Sequence, residues 1–193
     1  MTVAPDVDAV RVELRALLVE RSLRFGDFVL SSGRHSDFYV DARVVTLDGR
    51  GLYLASTLLL RRCRDVGATA IGGPTVAADP LLSGTAALSG MRTTGTPLKG
   101  FIVRKEAKSH GTGKTIEGPE LTAADRVVVV DDTLTTGGSI LRAVEQLRSE
   151  TPAEIIEAVV LVDREEGGRE ALAAAGIDCF ALFRRGEFAQ SGS

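Results

Sequence analysis

Four consecutive valines, Val127 to Val130, run without a break into Asp131-Asp132 and then into Thr133-Leu134-Thr135-Thr136-Gly137-Gly138-Ser139. An apolar run with no polar alternation suits a strand covered on both faces, as in a parallel sheet with helices above and below it. After the loop, Ile140, Val144 and Leu147 recur at helical spacing, so the loop joins a strand to a helix. Loops of this kind stand at the carboxyl ends of parallel strands, where open α/β sheets bind ligands. This one stretch predicts a fold class, α/β, and a place for a site.

The loop's residues also restrict what it can hold. Gly137 and Gly138 permit a tight turn with bare N–H groups. A helix N-terminus behind them adds positive dipole, and Thr135, Thr136 and Ser139 add hydroxyls, which together make a phosphate cradle. Two carboxylates beside that cradle would repel a phosphate. They suit a ligand whose vicinal hydroxyls lie one sugar's width away, because an ionised carboxylate only accepts hydrogen bonds. Acid pair followed by phosphate nest therefore reads as a ribose 5-phosphate site, against the alternative of a strand ending in solvated aspartates before a flexible loop.

The rest of the chain fits around this unit. Candidate strands at residues 68–72, 100–104, 126–131, 154–162 and 179–183 alternate with candidate helices at 76–89, 139–149 and 169–175, the last stopped by Gly176. Strands separated by helices predict a central parallel five-stranded sheet flanked on both sides. Earlier, Val10, Leu14, Leu17 and Leu18 mark an amphipathic helix over residues 8–21. Short strands at 28–30 and 38–41 flank a turn-rich segment, and a second helix covers 49–64. We divide the single domain into an N-terminal hood at 1–66, an α/β core at 67–183 and a tail at 184–193.

Charge adds a second clue. The net charge of the 193 residues is −3, so no global positive field recruits nucleic acid, and an anion site must be locally basic. Residues 104–111 supply such a patch: Arg104, Lys105, Lys108 and His110 crowd the start of a long polar connection, 105–124, that carries Gly111, Gly113 and Gly118. Connections of this length are uncommon unless functional. A mobile basic lid is what a pyrophosphate leaving group needs as its charge builds up, against the alternative of a solvated charged loop. The neighbouring Gly111-Thr112-Gly113-Lys114-Thr115 imitates an ATP-binding P-loop and fails as one. The required glycine five places before Gly113 is Lys108, and Ile116-Glu117-Gly118-Pro119 cannot begin an apolar helix.

Cys63 and Cys179 cannot make a disulfide framework or a cysteine metal site, and both read as core thiols of a reducing compartment. With no apolar run near the ~20 residues that span a bilayer and no signal-peptide pattern at the N-terminus, a cytoplasmic setting is expected.

Residues 127–139 resemble the diphosphoribosyl motif of the type I phosphoribosyltransferases: an apolar run, two acids and a T-x-x-G-G/T-S-like loop. The resemblance implies that family's fold, with Asp131 and Asp132 on the ribose hydroxyls and Thr133, Leu134, Thr135, Thr136, Gly137, Gly138 and Ser139 around the 5-phosphate. Arg104-Lys105-Glu106-Ala107-Lys108, followed by His110-Gly111, looks like the catalytic loop of one branch, the orotate phosphoribosyltransferases. It implies that Arg104, Lys105, Lys108 and His110 contact pyrophosphate, with Lys108 the principal catalytic cation alongside Asp131 and Asp132. It further implies a homodimer in which this loop closes over the neighbouring subunit's site.

Three more strings agree with that branch. Phe25-Gly26-Asp27-Phe28 through Leu30-Ser31-Ser32-Gly33 to Phe38-Tyr39 is similar to its orotate loop, which implies Ser32, Gly33 and Tyr39, with Thr135, as orotate contacts. Arg164, in Asp163-Arg164, stands where the family pairs an arginine with orotate, and it could grip the carboxylate bidentately. Gly72-Gly73-Pro74-Thr75 resembles the pyrophosphate loop, with Thr75 in contact and a cis peptide near Thr75-Val76. Ser31 and Ala77 stand where many members carry lysine.

The implied reaction joins orotate to 5-phosphoribosyl-1-diphosphate, giving orotidine 5′-monophosphate and pyrophosphate in pyrimidine synthesis. The implied cofactor is Mg2+, carried by the diphosphate with no direct protein ligand and reached by Asp131 and Asp132 through water. Rival readings are a purine or other pyrimidine phosphoribosyltransferase, a regulator that keeps the pocket but binds nucleic acid, and a silent partner of a decarboxylase.

Overall fold

All four valines are fully buried, yet they do not share one core. In the computed structural model, which describes residues 6–29, 35–91, 95–106 and 114–189, they lie in strand β6 and alternate between two apolar layers. Val128 and Val130 pack with Leu54, Leu59 and Leu81, while Val127 and Val129 pack with Ile140, Val144 and Leu172. Burying a valine side chain contributes roughly 1.5–3 kcal/mol, so both layers hold the strand in place.

The elements run in chain order α1 (Val7–Arg21), β1 (Leu23–Val29), β2 (His35–Val40), α2 (Arg43–Thr46), α3 (Gly49–Asp65), β3 (Ala70–Pro74), α4 (Asp79–Gly90) and β4 (Lys99–Val103). Then come β5 (Ile116–Glu117), β6 (Arg126–Leu134), α5 (Gly138–Glu150), β7 (Glu154–Asp163), α6 (Gly168–Ala174), β8 (Cys179–Arg184) and α7 (Gly186–Ala189). The main sheet has the order β5-β4-β3-β6-β7-β8.

The five expected strands, β3, β4, β6, β7 and β8, are all parallel. A sixth was not foreseen: β5 pairs antiparallel with β4 through Val103↔Ile116 and Ile102↔Glu117. It falls inside the segment read as a loop, and two residues are too few to leave a period in a sequence. Strand β6 also runs past its expected end at Asp131, because Asp131↔Val160, Thr133↔Val162 and Leu134↔Asp163 continue the pairing with β7. The acid pair therefore lies within the sheet rather than beyond it.

The hood is built by α1 to α3 and a separate β1–β2 hairpin. Asp6 caps α1 by accepting from the N–H groups of Asp8 and Ala9, and Asp48 caps α3 by accepting from those of Arg50 and Gly51. Strand β1 starts five residues before its expected beginning at Phe28, since the register shift between Phe25 and Phe28 breaks the alternation by which a strand is recognised. Phe38 of β2 is fully buried and stacks on Phe188 of α7 at 6.3 Å, which in turn meets Phe183 of β8 at 5.8 Å. Arg11 of α1 donates to Leu182 O at 3.0 Å, and Arg62 of α3 grips the buried Glu157 of β7 at 2.8 and 2.6 Å.

Burial pushes the thiols of Cys63 and Cys179 up to about 12 and about 11, so neither is a ready thiolate. No helix among the described residues is long and apolar enough to cross a membrane.

Strand β3 has almost no room beside it, for a Cβ on Gly72 would overlap the carbonyl and ring of Phe101 in β4. Gly72→Ala is expected to cost about 3 kcal/mol, the upper end for overpacking, read as a lowered urea midpoint with an unchanged slope.

Candidate active site

The order of strands locates the site before any side chain is considered. From β3 the chain moves to β4 on one side and returns to β6 on the other, so the sheet's direction of growth reverses between β3 and β6. The crevice beyond the carboxyl ends of those two strands is where such sheets take ligands. A cleft of about 390 Å³ opens there. Of the sequence-derived residues, Thr75, Arg104, Lys105, Asp131, Asp132, Thr133, Thr135 and Ser139 line it, and Ala77 stands in the same wall.

Behind them sits the threonine–glycine loop expected to hold phosphate. Gly137, at φ +81°, is the N-cap of α5 and offers no side-chain hydrogen bond. Helices α1 and α3 have their first N–H groups claimed by aspartate caps, whereas α5, like α2, α4 and α6, has no side-chain cap, and of these α5 follows directly on the acid pair. The loop is held down from below, because Gly168 approaches so closely that a Cβ there would overlap Thr135 O. Leu134 plays a different part from its neighbours. Its side chain is in the core, and its carbonyl accepts from Arg164 N at 2.9 Å.

Asp131 and Asp132 are only 5% and 8% exposed. Asp131 accepts from Ser139 Oγ at 2.7 Å and from Asp132 N at 3.0 Å, while Asp132 accepts from Thr133 Oγ1 at 3.1 Å. Burial, followed by the charge of Asp132, pushes Asp131 up to about 7 from its ordinary value of 3.8. Burial also raises Asp132, opposed by the hydrogen bonds of Thr133 and the positive charge of Arg43. The Ser139 hydroxyl, expected on the phosphate, is thus turned toward the carboxylate.

The basic rim is anchored at its root. Arg104 Nη1 lies 2.7 Å from Glu117 Oε1 across the β4–β5 hairpin. Glu150, the last residue of α5, accepts from Thr115 N at 3.1 and 3.0 Å and from Thr115 Oγ1 at 2.6 Å. Lys108 and His110 fall outside the described residues, as do Ser31, Ser32 and Gly33. Thr75 Oγ1 donates to Asp79 Oδ2 at 2.8 Å, and the Thr75-Val76 peptide is cis, as the motif implied.

On the hood side, Tyr39 is 37% exposed and lies 5.7 Å from the Phe28 ring. Arg164 is 6% exposed; its Nη2 donates to Phe38 O at 3.0 Å and pairs with Glu166 Oε1 at 2.7 Å. Neither residue lines the cleft around Asp131.

Two cations on the cleft escaped the sequence reading. Arg43, whose Nε meets Asp41 Oδ1 at 3.2 Å, belongs to no motif, and only the folding of the hood brings it to Asp132. Arg142 was within reach, since it lies one helical turn after Gly138 on the same face of α5.

Known proteins bear on this geometry. Residues 32–175 match the family model described as the phosphoribosyl transferase domain. An orotate phosphoribosyltransferase of Thermosynechococcus vestitus is 44% identical over 175 residues, covering 91% of this chain and 90% of that protein. The chain belongs to the orotate phosphoribosyltransferase family. A crystal structure of the Mycobacterium tuberculosis H37Rv orotate phosphoribosyltransferase with Fe(III) dicitrate superposes with a TM-score of 0.78 at 37% identity, covering 93% of this chain and 98% of that one. A crystal structure of the same enzyme in complex with 5-phospho-alpha-D-ribosyl 1-diphosphate gives a TM-score of 0.75 at 33% identity over 93% and 99%. The acid pair, the phosphate loop and the hood strand β2 all fall within the stretch matched by the phosphoribosyltransferase model.

Because Asp131 binds its proton more tightly folded than unfolded, its contribution is most favourable below pH 4 and is lost as pH rises through about 7. Asp131→Asn, melted without ligand, is therefore expected to raise Tm at pH 8 and to change it little at pH 4.

Proposed function

We propose that this chain transfers the phosphoribosyl group of 5-phosphoribosyl-1-diphosphate to the ring nitrogen of orotate, releasing orotidine 5′-monophosphate and pyrophosphate in pyrimidine nucleotide synthesis. One observation carries the reading. A buried acid pair and an uncapped helix N-terminus meet at a single switch-point crevice, with Arg104 and Lys105 on its rim. A ligand that satisfies all of these needs a phosphate at one end, sugar hydroxyls in the middle and a diphosphate at the other.

Roles follow from the chemistry of each group. Asp131 and Asp132 accept from the ribose hydroxyls, and those hydrogen bonds favour the ionised form that burial disfavours. Thr135, Thr136 and the N–H groups of Gly137, Gly138 and Ser139 hold the 5-phosphate. Thr75, Arg104, Lys105, Lys108 and His110 receive the diphosphate, while Ser32, Gly33, Tyr39, Thr135 and Arg164 receive orotate. Deprotonated orotate attacks the anomeric carbon through its ring nitrogen as the bond to the diphosphate oxygen breaks, and that bonding pair leaves with pyrophosphate. No side-chain nucleophile is needed. The chain contributes positioning, and its cations stabilise charge on the leaving group. The basic loop closes, in this reading, over the site of a second copy in a homodimer.

The residues fit a magnesium ion brought by its substrate. Asp131 already accepts from Ser139 and a backbone N–H, which suits a carboxylate that would meet a hydrated ion through water. A hard ion that keeps part of its hydration would rest on diphosphate oxygens, with Asp131 and Asp132 reaching it through water. When bound, it would neutralise charge on the leaving group.

The test follows orotate absorbance after adding protein, magnesium and the diphosphoribosyl donor. A fall is expected with orotate alone among orotate, adenine, guanine, hypoxanthine and uracil; consumption of another base instead would overturn the reading. Lys108→Ala should lower kcat at least tenfold, about 1.4 kcal/mol of transition-state stabilisation, with little change in donor KM. An unchanged kcat would end the lid assignment. Arg164→Ala should raise the orotate KM about tenfold or more, as loss of a charge-assisted pair does, and an unaltered KM removes Arg164 from the orotate site.

A further inference from the structure

We propose that Arg142 is the side-chain cation of the 5-phosphate subsite, an assignment that rests on the ribose-phosphate reading above. Arg142 lies in the second turn of α5, and helical side chains lean back toward the N-terminus of their helix. Its Nη1 is 3.5 Å from the point where a Cβ on Gly138 would stand, and Thr136 Oγ1 is 3.9 Å from the same point. The guanidinium and that hydroxyl therefore both stand close to the first residue of the helix, and Arg142 itself lines the cleft beside Thr135 and Ser139.

The loop by itself is short of charge. Ser139 gives its hydroxyl to Asp131, which leaves two threonine hydroxyls, the backbone N–H groups and a helix end. A helix end is equivalent to about half an elementary charge. A phosphate monoester carries between one and two negative charges near neutral pH, and it sits close to two acids. Of the other cations of the cleft, Arg43 pairs with Asp41 and Arg104 with Glu117, while Lys105 stands on the rim just after β4. Among the described residues no carboxylate pairs with Arg142, and its forked donors match two phosphate oxygens at once.

The experiment compares wild type, Arg142→Gln and Arg142→Lys by calorimetric titration with ribose 5-phosphate and, separately, with pyrophosphate. Arg142→Gln is expected to weaken ribose 5-phosphate about tenfold, Arg142→Lys to recover part of the loss, and pyrophosphate to bind within about twofold of wild type. In turnover, the KM of the diphosphoribosyl donor should rise about tenfold while kcat moves by less than about threefold. If Arg142→Gln binds ribose 5-phosphate as wild type does, or if both ligands weaken equally, the assignment is wrong. A wild-type protein that binds pyrophosphate but not ribose 5-phosphate overturns the underlying reading and this assignment with it.

Discussion

Strand β6 is hydrogen-bonded on both edges and covered on both faces, and it still carries two carboxylates to its end. That conflict organises the site. Pairing with β7 holds Asp131 and Asp132 where water is scarce, burial disfavours their charge, and Ser139 and Thr133 are drawn in to donate to them. Holding two carboxylates there costs stability, which the hydrogen bonds donated by Ser139 and Thr133 offset in part.

What the sequence revealed follows from range. The valine run and the threonine–glycine loop could be read because a strand covered on both faces and a helix N-terminus each depend on adjacent residues. The cis peptide at Thr75-Val76 came through a motif of the same local kind. Features made by distant segments left no such mark. Arg43 reaches Asp132 only because the hood folds over the sheet, and the Arg104–Glu117 pair exists only once β5 turns back on β4. Helical spacing puts Arg142 on the face of Gly138, but spacing alone does not tell which residues of that face border a cleft, and Arg142 was missed. Strand β1 was read short because its bulge interrupts the alternation.

The hood and the C-terminal helix meet through aromatic rings and arginines. Phe38, Phe183 and Phe188 form one run from β2 through α7 to β8, and Arg11 and Arg185 lie over the rings of Phe183 and Phe38 at 4.7 and 5.5 Å. Arg164 joins the same seam by donating to Phe38 O. The position of the hood strand beside the end of β7 is thereby set by packing from three separate parts of the chain.

Helix α5 touches the site at both of its ends. Its first turn carries Ser139, which donates to Asp131, and its last residue, Glu150, grips Thr115, where the chain returns from the basic segment. Thirteen residues at 1.5 Å each make a rod of about 20 Å. One rigid element thus fixes the distance between the Gly137–Ser139 turn and Thr115, two places that lie 22 or more residues apart in the chain.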